Sequence, residues 1–78
     1  MDIRQVFAAN LRRLRHEKGF SQEVLADLAD VNRTYVSKLE TGATYVGLEI
    51  IAKLADVLGT EPAELLKRAP RRGRQSSK

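Results

Sequence analysis

Arg33, Thr34, Ser37 and Lys38 lie within the stretch "VNRTYVSKLETG", residues 31–42. At helical spacing they share one face, with Val36 and Leu39 behind them. Arg and Lys donate to guanine O6 and N7, and Ser and Thr donate or accept at any base edge. The Thr methyl also suits the thymine methyl. A solvated surface and a base-reading head have the same composition, so the surrounding elements must decide between them. Chemistry of other kinds has little material. There is no Cys, and His16 stands alone, which excludes disulfides, thiolate sites and His clusters. No Gly-rich phosphate loop and no nucleophile–base pair can be assembled. Glu23, Asp27 and Asp30 cluster, but on an exposed helix flank. The chain therefore reads as a non-enzyme with no cofactor and no metal.

The 78 residues make one domain with a small core. Net charge is +4, unevenly distributed. Residues 67–78 carry Lys67, Arg68, Arg71, Arg72, Arg74 and Lys78 without an acid, whereas residues 1–66 hold 8 bases against 10 acids. Basicity thus belongs to the tail, and nucleic-acid binding by the body must rest on where its charges sit. No apolar run is long enough to span a bilayer, and "MDIRQVF" lacks a signal-peptide core. The expected location is cytoplasmic, with no membrane partner.

Alternating strand patterns are missing and helical periodicity dominates. The spacing predicts five helices in a compact all-α fold. The first runs from Ile3 to Lys18, with Ile3, Phe7, Leu11 and Leu14 as its apolar stripe and Gly19 as its stop. The second follows the N-cap Ser21 and ends near Ala29. After Asp30-Val31-Asn32, the third runs from the N-cap Asn32 to Thr41, stopped by Gly42. "ATYV" forms a loop. The fourth spans about Gly47–Leu58, with Leu48, Ile51, Leu54, Ala55 and Leu58 in the core. Thr60 is expected to cap the fifth, with Pro62 in its first turn and an end near Lys67. Residues 1–68 form the domain, and the apolar-free run in 69–78 reads as a disordered basic tail.

Two short helices joined by three residues, with small Ala26 near their crossing, form a helix-turn-helix unit. Its second helix keeps one face free of the core. "SQEVLADLADVNRTYVSKLETG" resembles the helix-turn-helix of the lambda-repressor/Cro-type family. "LEIIAKLADVLGTEPAELL" is similar to that family's fourth and fifth helices, so the likeness covers residues 3–67. "NRTYVSKLE" is especially similar to restriction–modification controller proteins and to small single-domain repressors.

The resemblance implies a sequence-specific regulator of transcription that binds double-stranded DNA as a homodimer on a palindromic operator. It implies a bacterial or phage protein near the nucleoid, and a single domain of 78 residues is expected to carry no second domain for a small-molecule effector. It places Arg33 and Thr34, then Ser37 and Lys38, on bases. It assigns Gln22 to a phosphate and to bracing the first residue of the reading helix, Tyr35 to the DNA backbone, and Arg15 and Glu40 to a structural ion pair. Thr41 joins the phosphate-facing residues. Tyr45 either touches phosphate or covers the end of the third helix. Val46, Ile50, Val57 and Leu66 are apolar side chains left over from the core, expected at a dimer seam. Two departures stand out: Asp30 replaces a usual Gly, and the loop Ala43–Gly47 lacks the usual basic residues. The tail is an alternative source of phosphate contacts. A competing reading is a protein-interaction module of the same fold, such as an antitoxin or co-activator. RNA binding is disfavoured by the scarcity of aromatic platforms, two Tyr and two Phe.

Overall fold

The computed structural model describes residues 2–68. The expectations for the basic tail, 69–78, lie outside the described residues. The elements are α1 (Ile3–Lys18), α2 (Gln22–Ala29), α3 (Arg33–Thr41), α4 (Leu48–Leu58) and α5 (Pro62–Leu65). Among the described residues every regular element is helical, as the periodicity requires.

Side-chain capping sets the first three boundaries. Asp2, Ser21 and Asn32 have extended backbones, and each side chain accepts a first-turn N–H, from Arg4, Val24 and Thr34 respectively. The stop after α2 is unusual. Asp30 adopts φ 58° and ψ 49°, the one non-glycine with positive φ among the described residues. It closes the helix as a glycine would, with its own N–H donating to the Ala26 and Asp27 carbonyls and that of Val31 reaching Ala26 at 2.9 Å.

The core is built by Phe7 and Leu11 of α1, Leu25, Ala26 and Ala29 of α2, and Val36 and Leu39 of α3. Ile51, Leu54, Ala55 and Leu58 of α4 and Leu65 of α5 complete it. Ala26, buried between α2 and its neighbours, allows close approach where a larger side chain would wedge the helices apart. Leu14, Phe20, Val31 and Tyr35 pack around the margin.

Four details differ from the sequence expectation. Leu48 stands in solvent, 82% exposed, instead of in the core. It is the first residue of α4, and helical side chains lean toward the N-terminus, so it projects beyond the packed part of the bundle. Ile3 is likewise half exposed at the first turn of α1. Glu61, not Thr60, is the N-cap of α5, and it makes no side-chain cap bond; Pro62 fixes the first helical position and thereby the boundary. α5 ends at Leu65, short of Lys67, and buried Asn10 takes up carbonyls at that end. The Asn10 side-chain amide donates to Leu65 O at 2.9 Å and to Lys67 O at 2.8 Å.

Candidate nucleic-acid interface

α3 is amphipathic in a way that fixes its orientation. Val36 and Leu39 are fully buried, and Glu40 is 3% exposed. At about 100° per residue, Arg33, Thr34, Ser37, Lys38 and Thr41 fall within an arc of about 140° on the other side. Arg33, Thr34, Lys38 and Thr41 are exposed and Ser37 is half-buried. Among the described residues, no hydrogen bond or ion pair engages the side chains of Arg33, Thr34, Ser37 or Lys38. The face therefore carries unspent donors along a helix about 14 Å long.

A buried polar network locks the opposite edge to the body. Arg15 donates through Nε to Glu40 Oε2 at 2.6 Å and through a terminal nitrogen to Oε1 at 2.9 Å. Its other terminal nitrogen donates to Phe20 O at 2.8 Å. Gln22 Nε2 donates to Glu40 Oε1 at 3.1 Å, and the Arg12 guanidinium donates to the Glu40 carbonyl. Burial alone would raise the Glu40 carboxyl's pKa. The hydrogen bonds from Arg15 and Gln22, with the charges of Arg15 and Arg12, outweigh it and hold the carboxyl below its ordinary range. α1, α2 and α3 thus meet at one carboxylate.

That geometry revises the expected role of Gln22: it braces Glu40 near the far end of α3 rather than Arg33 at its start. Gln22 is half-buried at the first position of α2. Ser21 takes the Val24 N–H, and among the described residues the Gln22 and Glu23 N–H groups have no acceptor, so the helix end beside it presents two free donors.

The remaining expected contacts are differently placed. Tyr35 is half-buried against the core, and its hydroxyl donates to Tyr45 O at 3.3 Å. The Thr41 hydroxyl donates to Lys38 O at 3.0 Å. Both protons are spent inside the protein and must be exchanged before either group can donate to a phosphate. Tyr45 is 67% exposed; it stacks beneath the Arg4 guanidinium, whose carbon lies 4.6 Å from the ring centroid. Val46, Ile50 and Val57 are partly buried against the core's margin, and Leu66 is exposed beyond α5. On α4, Leu48 lies on the opposite side of the buried stripe from Ile50 and Val57.

Sequence reasoning missed Asn10 and the Arg4–Tyr45 stack; it takes Arg12 for surface charge, and Arg12 is exposed but also donates to the Glu40 carbonyl. Asn10 had one available signal: it falls on the buried side of α1, among Val6, Phe7 and Leu11, where an unpaired amide is costly. His16 is exposed, and among the described residues no three His, Asp or Glu side chains are placed to hold a metal. No helix of the described chain is long and apolar enough to cross a membrane.

Two short helices joined by the three residues Asp30–Asn32, the second presenting a polar face, have the arrangement of a helix-turn-helix. Sequence comparison agrees: residues 6–67 match the model of the helix-turn-helix domain family, and the chain belongs to that family. It is similar to the control protein C.BamHI of Bacillus amyloliquefaciens, 41% identical over 66 residues, covering 83% of this chain and 82% of the relative. Among solved structures it resembles the restriction–modification controller protein C.AhdI from Aeromonas hydrophila at 47% identity and a TM-score of 0.77, covering 80% of this chain and 94% of that one. It also resembles the hypothetical transcription factor NHTF from Neisseria, at 40% identity and a TM-score of 0.83, covering 96% and 84% of the respective chains.

Proposed function

We propose that the protein is a sequence-specific double-stranded DNA-binding regulator of transcription that places α3 in the major groove. The observation that carries this reading is the five-residue polar face of α3, unspent at Arg33, Thr34, Ser37 and Lys38 and rigidly held from behind by the Arg15–Glu40 pair. A helix fits the major groove, where each base pair shows a distinct donor and acceptor pattern. Arg33, Thr34, Ser37 and Lys38 read bases. Gln22 and the free N–H groups of the α2 N-terminus fix the register on a phosphate, with Tyr45, and with Tyr35 and Thr41 after exchange of their internal bonds. The relatives named as control proteins and a transcription factor support the regulatory role.

The regulator acts as a homodimer. One α3 spans too few base pairs to define a site, whereas two-fold pairing sets two reading helices roughly 34 Å apart on a palindrome. Val46, Ile50, Val57 and Leu66 supply the apolar seam, since Ile50 and Val57 are incompletely covered within one chain. Its place of action is the cytoplasm, at the nucleoid. Selection from a random duplex library by the purified protein tests the reading. An enriched inverted repeat is the expected result. Salt-sensitive binding without enrichment refutes sequence reading and moves the protein-interaction alternative forward.

A further inference from the structure

The start of α1 is folded onto the end of α3. The Gln5 side-chain amide covers Gly42, the residue that ends α3, so closely that a Cβ there would overlap it. Beside it, the Arg4 guanidinium stacks 4.6 Å from the centroid of the Tyr45 ring. Tyr45 belongs to the loop Ala43–Gly47, which contains no Lys or Arg. The loop is tied back to α3 by the Tyr35 hydroxyl, which donates to the Tyr45 carbonyl at 3.3 Å. A cation from α1 therefore stands at the C-terminal shoulder of the presented helix, where the neighbouring loop has none.

That cation is already held by a carboxylate. Arg4 donates through Nε at 3.1 Å and through a terminal nitrogen at 2.7 Å, both to Asp2 Oδ2. The other oxygen, Oδ1, accepts the Arg4 backbone N–H at 2.9 Å and caps α1. Both side chains stay about one-third solvent-accessible, 34% and 39%. A guanidinium fork recognises carboxylate and phosphate oxygens with the same geometry.

We propose that Arg4, stacked on Tyr45, is a binding site for a backbone phosphate of the duplex, and that Asp2 occupies this site as an internal competitor in the free protein. The proposal rests on α3 being the DNA-reading helix. Rows of phosphates border a major groove about 12 Å wide, and a cation at the shoulder of a helix lying in that groove meets its rim. On binding, Arg4 exchanges Asp2 Oδ2 for a phosphate oxygen. Asp2 keeps its Oδ1 cap, so the exchange does not unwind α1. Tyr45 holds the guanidinium plane throughout by cation–π attraction. The competitor lowers sequence-independent affinity, and with it the occupancy of duplexes that α3 does not fit.

Two substitutions test this, measured as binding to a short random-sequence duplex across a KCl series. Arg4→Gln removes the cation from a partly exposed position. Asp2→Asn removes the competing charge but retains the cap, since Asn caps as well as Asp. Thermal melts by circular dichroism confirm that each variant is folded. Arg4→Gln is expected to reduce the slope of log K against log [KCl] by about 0.9, the value for one phosphate. Asp2→Asn is expected to raise affinity several-fold in the parent and to leave it unchanged in the Arg4→Gln background. An unaltered slope for Arg4→Gln overturns the phosphate site. An equal rise from Asp2→Asn in both backgrounds overturns the competition, because only the general field would then have changed. If the parent protein binds no duplex at any salt concentration, the DNA-reading assignment fails first, and this site with it.

Discussion

Glu40→Gln isolates the buried ion pair that holds α3. The substitution conserves side-chain volume but removes the charge, so Arg15 remains buried and positive while an amide N–H₂ faces donors. Breaking a buried pair from one side costs about 3–5 kcal/mol. The Arg15 side chain keeps 11% exposure and its bond to Phe20 O at 2.8 Å, which places the loss at the low end, about 3 kcal/mol. For a domain of this size, at about 4–8 °C per kcal/mol, the midpoint falls by about 12–24 °C. Urea and thermal unfolding followed by far-ultraviolet circular dichroism at neutral pH measure it. The paired variant Arg15→Met with Glu40→Leu removes both charges and restores apolar packing. It is expected within about 1 kcal/mol of the parent, since apolar replacement of a whole buried pair is commonly neutral. Two results refute the reasoning: Glu40→Gln within about 0.5 kcal/mol of the parent, or a paired variant as damaged as the single one.

Three further outcomes follow from the same geometry. Asp30→Gly should stabilise the protein by about 1 kcal/mol, because a left-handed backbone is strained for Asp and free for Gly; urea midpoints check it. Asn10→Ala removes the two bonds that hold the carbonyls of Leu65 and Lys67 and should cost about 1–3 kcal/mol at about 0.5–1.5 per bond, with amide exchange accelerating first at the end of α5. The Glu40 carboxyl is depressed below its ordinary value of 4.5. Its contribution is therefore complete above that value and lost as pH falls through the lower, folded-state value. The stability gap between the parent and Glu40→Gln, read from urea titrations across an acid series, should narrow correspondingly.

The parts of the fold legible in the sequence are those fixed by local chemistry. Ser21 and Asn32 can cap, and Gly19 and Gly42 can take φ of 75° and 76°, so the phase of α3 and its outward residues follow from a few neighbours. The Arg15–Glu40 pair spans 25 positions and came through family resemblance rather than spacing. Where two local signals compete, the sequence is ambiguous: Thr60 and Glu61 both precede Pro62, and the rigid proline selects its immediate neighbour. Leu48 continues the apolar stripe of α4 by periodicity, yet periodicity carries no information on where a bundle ends. Asn10 and the Arg4–Tyr45 stack were illegible for a different reason. Each joins segments far apart in the chain, Asn10 to Leu65 and Arg4 to Tyr45, and only the docking of α1 onto α5 and onto the loop after α3 brings them together.

The central claim is that the outward face of α3 carries sequence specificity. The most direct measurement compares the parent and Arg33→Ala on the selected duplex and on a scrambled duplex of equal length at one salt concentration. The structure predicts a loss of about 1–3 kcal/mol on the selected duplex, little change on the scrambled one, and relaxed preference at one base pair. Equal losses on both duplexes, or none on either, would contradict it.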